Sequence, residues 1–172
     1  MKKSILLFLA IVVITASCNS QVKSPRELAS FTENEVSVSI YLNENEIGEY
    51  ILSARFTPPD GYHLYSKDIP LTGVDGLGRP TLLELTTESE MISLGELTES
   101  VSAEVPNFDP KELLVYPTGA VTLSLPISLP HQNGWVKDVV KITYMACNAG
   151  GCKAPVIGKL VSVRIPGADL FE

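Results

Sequence analysis

Two cysteines near the carboxyl end, Cys147 and Cys152, are the main candidates for a reactive pair, because only five positions separate them. An alternating, strand-like stretch runs into Cys147, and residues 148–151 form a short connection with two glycines. This pattern predicts a tight hairpin that holds the two sulfurs within reach of a disulfide bond. Such a pair can be a structural cross-link, or a dithiol–disulfide couple that exchanges electrons with a partner.

Loop size leaves both interpretations of the pair open. A bridge between Cys147 and Cys152 closes a loop of six residues, and the chain-entropy model gives such a loop about 2 kcal/mol. A chain with 45% hydrophobic residues can bury a core without that contribution. The position at a turn, where a partner can reach the sulfurs, favours exchange. Tight-loop disulfides nevertheless occur in both roles.

The amino terminus predicts export across a membrane. Lys2 and Lys3 precede an unbroken apolar run over residues 5–14, which suits a signal peptide and is too short to span a bilayer. Small residues then lead to Cys18 in the pattern of a bacterial lipobox, although Thr15 stands where leucine is usual. We expect residues 1–17 to be a lipoprotein signal peptide and Cys18 to carry the lipid. The alternative is a plain secretory signal with an incidental cysteine.

Export and charge bear on the compartment and the partners. If Cys18 is lipidated, Cys147 and Cys152 are the two cysteines left of three, in an oxidising compartment where disulfides persist. The formal net charge of −7 disfavours nucleic acid, because binding phosphate requires a basic surface. We expect the protein in the periplasm or cell envelope, lipid-anchored to a bacterial membrane, with no nucleic-acid partner.

The elements that position the pair are predicted to be strands. Residues 18–35 are polar and predict a lipid-anchored tether, with only a weak signal for a short helix over 27–31. Residues 36–172 form the predicted domain, in which apolar and polar side chains alternate in short segments separated by proline and glycine turns. The segments are 36–42, 50–56, 62–65, 82–85, 101–105, 121–127, 140–146 and 161–165. They predict an all-β, immunoglobulin-like antiparallel β-sandwich, with a closed barrel as the alternative.

The cysteine hairpin resembles the active-site hairpin of the N-terminal periplasmic domain of DsbD, in the thiol–disulfide interchange family. That family has an aromatic strand, a cysteine, a short loop, a second cysteine and a proline soon after, as residues 144–155 have here. Residues 60–66 and 115–117 resemble two further segments, so the resemblance covers residues 36–165. The chain departs from the pattern in having four residues, not five, between the cysteines, with no acidic residue among them.

The resemblance implies a sandwich domain whose dithiol relays reducing equivalents. Electrons would come from a thioredoxin-like or membrane donor and pass to oxidised periplasmic proteins. In the family the second cysteine, here Cys152, forms the mixed disulfide with the partner, and the first, here Cys147, resolves it. The family also has a cap loop with a phenylalanine over the pair, and Phe108 is the best match. No cofactor and no metal is expected.

The two histidines, the lysine after Cys152 and the single tryptophan are predicted to have structural or solvent-exposed positions. His63 and His131 are predicted to be solvated, because their spacing from the cysteines fits no zinc-finger pattern. Lys153 could favour the thiolate form of its neighbour Cys152, although a solvated lysine is the commoner case. Trp135 is expected to begin a strand and to lie in the core.

Two acidic residues are candidates for a role in proton transfer. Glu104 and Asp109 lie near the predicted cap and could replace the acidic residue that is missing between the cysteines. The alternative function is an envelope β-sandwich lipoprotein that binds protein or glycan and carries an inert hairpin disulfide. The reactivity of the cysteine pair separates the two functions.

Overall fold

The computed structural model describes residues 25–168, where extended strands form most of the regular structure. The lipobox cysteine Cys18 and the predicted signal peptide lie outside the described residues. Within residues 25–168, no helix has the length and hydropathy needed to cross a membrane. The strands are β1 (Arg26–Glu33), β2 (Val36–Glu44), β3 (Tyr50–Thr57), β4 (His63–Leu64), β5 (Leu82–Leu85), β6 (Ile92–Ser93), β7 (Thr98–Glu99), β8 (Val121–Ser128), β9 (Trp135–Tyr144), β10 (Ala146–Asn148), β11 (Gly151–Cys152) and β12 (Val156–Pro166).

The largest sheet is antiparallel and follows the predicted alternation. Its order is β1-β2-β3-β8, and β6 and β7 pair with the far side of β8. The alternate residues of β2 and β8 that the sequence marked as apolar are buried. Pro126 lies within β8, and its carbonyl oxygen accepts a hydrogen bond of 2.9 Å from the backbone N–H of Leu94, beside the two-residue β6. A proline is tolerated there because only short strands cover that side of β8.

A second antiparallel sheet, ordered β12-β9-β5, shares one hydrophobic core with the first. The ring of Phe56 on β3 meets the ring of Tyr144 on β9 edge to face, with centroids 5.8 Å apart. The predicted all-β, antiparallel architecture is therefore confirmed, and two sheets with a common core are consistent with a sandwich. The immunoglobulin-like connectivity stays a prediction.

Strand β1 corrects the predicted tether. Residues 26–33 belong to the polar stretch 18–35 that the sequence predicts to be a tether, yet they pair with β2 along its length. Leu28 and Phe31 pack against the core, so alternation continues through residues whose composition looks polar. The guanidinium of Arg26 lies 3.9 Å from the ring centroid of Trp135. Trp135 begins β9 as predicted, but it is 40% exposed under this cation and not a core residue.

The predicted strand over residues 101–105 is also wrong. Two-residue strands, β6 and β7, form earlier in the chain, and Glu104 makes a single antiparallel bridge to Val115. Val101 and Ala103 pack partly buried against the core, but Val105 is exposed and Pro106 follows it, so no backbone donor continues the ladder. Residues 101–110 are thereby left as a connection that reaches the cysteine hairpin.

Candidate functional site

Cys147 and Cys152 form a disulfide bond at the β10–β11 hairpin, as the spacing predicted. The two residues are direct cross-strand partners with Cα atoms 4.0 Å apart. The side chain of Asn148 closes the turn by accepting a 2.8 Å hydrogen bond from the backbone N–H of Gly150. Gly151 has a φ of 139°, where a side chain would be strained. The turn residues of the hairpin therefore allow the two sulfurs to approach each other.

The two cysteines differ sharply in exposure. Cys147 is 3% exposed and packs in a small apolar cluster with Tyr65, Ile69 and Leu113. Cys152 is exposed to solvent at the end of the small sheet. Of the two cysteines, Cys152 is therefore the more accessible to a thiol from solution, whereas Cys147 is enclosed by the domain.

Strand β4 lies alongside the hairpin and completes the small sheet β11-β10-β4. In its register, His63 pairs with Cys147 and Leu64 pairs with Ala146. The carbonyl oxygen of Leu64 also accepts a 2.8 Å hydrogen bond from the backbone N–H of Tyr116. β4 is thus held from both sides.

Tyr116 connects this sheet to the body of the domain. Its side chain is completely buried, and its hydroxyl donates a 2.9 Å hydrogen bond to Glu99. The same oxygen accepts a 3.1 Å hydrogen bond from the backbone N–H of Lys67. Burial raises the pKa of Tyr116 well above its ordinary value, so the phenol stays protonated and keeps donating. The sequence singled out Tyr116 only through the family resemblance.

A cleft of about 440 Å³ opens over the disulfide. It brings together all three residues that the sequence proposed for this site, Cys147, Cys152 and Phe108. The remaining lining residues are Gly61, His63, Tyr65, Asn107, Asn148 and Ala149. None of these lining residues is an aspartate, glutamate, lysine or arginine, so the walls are aromatic or uncharged.

Phe108 lies on the wall of this cleft. Its ring stacks on that of His63, with centroids 5.8 Å apart and an interplanar angle of 27°. The residue is 37% exposed. Phe108 therefore lies beside the disulfide and is partly open to solvent, and its role as a cap stays a prediction.

His63 is a correction to the predicted solvated histidine. The side chain is half-buried, with Tyr65 at its edge at 5.4 Å and Phe108 on its face. Its Nε2 is buried and has no hydrogen-bond partner among the described residues. Burial lowers the pKa of His63 below its ordinary value of 6.5 and raises the pKa of Tyr65. His131, by contrast, is exposed as predicted.

The charged residues suggested by the sequence lie outside the cleft lining. Lys153 forms a 2.6 Å ion pair with Glu35, which raises the pKa of Lys153, and its ammonium lies 5.0 Å from the ring of Tyr62. Asp109 is exposed and lies 3.7 Å from the ammonium of Lys111. Lys153 is therefore paired with a carboxylate and is not among the residues that line the cleft beside Cys152.

Glu104, the other carboxylate considered for proton transfer, is bound through its backbone to Val115 and does not line the cleft. Among residues 25–168, no group of three or more histidine, cysteine or acidic side chains could hold a metal ion. The fold and the site together describe an all-β domain whose hairpin disulfide, with one cysteine exposed and one buried, lies under an aromatic cleft. Comparison with protein-family models, curated proteins and solved structures found no match.

Proposed function

We propose that this protein is a thiol–disulfide exchange module of the cell envelope, which relays reducing equivalents through Cys147 and Cys152 to oxidised envelope proteins. The observation that carries the proposal is the unequal exposure of the two cysteines beneath the aromatic cleft. Exchange needs one sulfur open to the partner and a second one in reserve. A cross-link that only closes a six-residue hairpin needs neither a cleft nor this asymmetry.

The exchange runs through two balanced substitutions. In the reduced pair, the Cys152 thiolate attacks a partner disulfide, forms a mixed disulfide and releases one partner sulfur as a thiolate. The Cys147 thiolate then attacks the Cys152 sulfur, which reforms the Cys147–Cys152 bond and releases the second partner thiolate. Two electrons pass to the partner, whose thiolates take up protons from the medium. A dithiol donor, either thioredoxin-like or in the membrane, reduces the pair again by the reverse steps.

The resemblance to the DsbD domain supports the same assignment of roles. It gives the partner-linked sulfur to Cys152, the exposed residue, and the resolving sulfur to Cys147, the buried one. It also expects a phenylalanine near the pair, and Phe108 lines the cleft. The second candidate, a binding module with an inert disulfide, is favoured only by the short loop, which is also compatible with exchange.

The reduction potential tests the proposal. We expect the Cys147–Cys152 bond to equilibrate with dithiol buffers at a midpoint above about −300 mV, because structural disulfides of secreted proteins lie below that value. The fraction reduced is measured by alkylation and mass spectrometry, with the Cys147→Ala/Cys152→Ala double variant as the background control. A midpoint below that value, with no exchange with glutathione, would assign the hairpin to the inert binding module.

The lipid anchor is a separate part of the proposal. We expect mature protein from a bacterial host to begin at Cys18 and to carry acyl chains there, because the small residues before Cys18 follow the signal run. Intact mass spectrometry of the membrane fraction checks this expectation. Cys18→Ala should abolish the lipid mass, whereas Ser20→Ala, two residues later, should leave it unchanged. A mature wild-type chain that keeps an unmodified Cys18 would contradict the anchor but not the exchange chemistry.

A further inference from the structure

The resolving step of the proposed exchange has an unmet requirement at Cys147. That cysteine must lose its proton before it can attack the mixed disulfide, since the thiolate is the nucleophile. Yet Cys147 is buried among apolar side chains, where a thiol gives up its proton less readily than in water. A proton acceptor inside the cleft would remove this obstacle.

His63 has the position and chemistry for that task. It is the direct cross-strand partner of Cys147 between β4 and β10, and its imidazole lines the same cleft. Its buried Nε2 has no hydrogen-bond partner among the described residues. An unpartnered buried polar atom costs free energy, and such atoms are often found where they have a catalytic role. Because burial lowers the pKa of His63, the ring is neutral at pH 7 and can accept a proton.

The groups around His63 do not compete for this role. Burial raises the pKa of Tyr65, which meets the imidazole edge to face, so the phenol holds its proton at neutral pH. On the segment that carries Phe108, Asp109 is exposed and pairs with Lys111. On the hairpin side, Lys153 is paired with Glu35. With these pairings made, His63 is the basic group among the residues that line the cleft.

We propose that His63 accepts the proton of the Cys147 thiol as Cys147 resolves the mixed disulfide on Cys152. The proposal rests on the exchange function above. The Cys147 sulfur bonds to the Cys152 sulfur, the bond from Cys152 to the partner breaks, and the electron pair leaves on the partner sulfur. The proton moves from Cys147 to the imidazole and then to the leaving thiolate or to solvent. In the reductive direction the imidazolium returns it to Cys147.

An aromatic disulfide reagent separates this step from the preceding one. The full chain carrying Cys18→Ala, so that only the pair reports, is reduced and mixed with 5,5′-dithiobis(2-nitrobenzoate). Attack by Cys152 releases a first thiolate, and resolution by Cys147 releases a second, so the absorbance rises in two phases. We expect the wild-type second phase to slow only below the lowered pKa of His63, where the imidazole is already protonated.

Removing the base should slow the second phase alone. His63→Phe keeps an aromatic ring beside Phe108 and should slow resolution about 100-fold at pH 7, the usual scale of general-base catalysis. Its rate should then keep rising with pH beyond about 8.5, the pKa of an ordinary thiol, because burial disfavours the Cys147 thiolate. His63→Gln should behave alike, and the exposed His131→Gln is the matched control that should leave both phases unchanged.

The outcomes separate the inference from the proposed function. If the wild-type second phase itself follows only an ordinary thiol ionisation, the role of His63 is refuted whatever the variants do. The same holds if both His63 variants keep the wild-type rate and pH profile. If the reduced wild type releases only one equivalent of aromatic thiolate, the pair does not close on an adduct, and the exchange function fails with it. A slowed second phase with a normal first phase supports His63 as the proton acceptor.

Discussion

A Cys147→Ala variant should accumulate mixed disulfides with envelope proteins in cells, whereas a Cys152→Ala variant should accumulate few or none. Cys152 is the exposed member of the pair, and Cys147 lies buried behind it in the register of the hairpin. Without Cys147 the adduct on Cys152 cannot be resolved from within the protein and persists until an external thiol attacks it. Without Cys152, only the sulfur of Cys147 remains, and a folded partner cannot reach it because Cys147 is buried.

The adducts are counted by mass spectrometry after acid quenching and alkylation of free thiols. Reducing and non-reducing gels of the same samples identify the partner proteins. The double variant Cys147→Ala/Cys152→Ala provides the background, because it has neither sulfur. Equal trapping by the two single variants, or no trapping by either, would contradict the assignment of Cys152 as the attacking residue.

A Phe108→Ala variant should react faster with small thiols at the disulfide while leaving the domain folded. The ring stacks on His63 at the wall of the cleft, but the residue is 37% exposed, so its removal should cost only about 1 kcal/mol of unfolding free energy. If the cap opens as a minor state, populated about 0.1–10% of the time, its loss should speed reduction by glutathione about 10-fold or more.

Two matched variants isolate the cap effect. Val105→Ala removes an exposed apolar side chain from the same segment and should leave the reduction rate unchanged. Phe56→Ala removes a completely buried ring and should cost about 3–5 kcal/mol of unfolding free energy. Stability is measured by urea denaturation, and the rate by trapping free thiols over time. A Phe108→Ala protein that unfolds like Phe56→Ala, with an unchanged reduction rate while folded, would show that Phe108 is a structural anchor.

The behaviour of Lys153 shows where adjacency in sequence misleads. It follows Cys152 directly, which suggested a cation beside the attacking sulfur. In extended chain, however, successive side chains point to opposite sides. Lys153 accordingly pairs with Glu35 and covers the ring of Tyr62, both far away in sequence. Neighbours in a strand share little of their surroundings, so a charge next to a thiol in the sequence need not act on it.

Features that depend on residues close together in the chain follow from the sequence alone. Period-two alternation identified strands such as β2 and β8, because each strand buries one face, and that pattern is complete within a few residues. The cysteine spacing and its glycine-rich connection likewise determined the hairpin and the disulfide, since a tight turn needs no distant partner. Strand β1 was not predicted, because its few apolar residues become buried only when the strand pairs with β2.

The surroundings of the disulfide depend on long-range packing and could not be predicted from the sequence. Residue 63 lies beside residue 147 because β4 adds to β10, and strand pairing at such separation leaves no trace in local alternation. Whether a histidine is solvated or buried with an unpartnered nitrogen follows from that pairing and from the ring of Phe108, which arrives from a third segment. The chemistry of the site combines a locally encoded disulfide with an environment that long-range packing alone assembles.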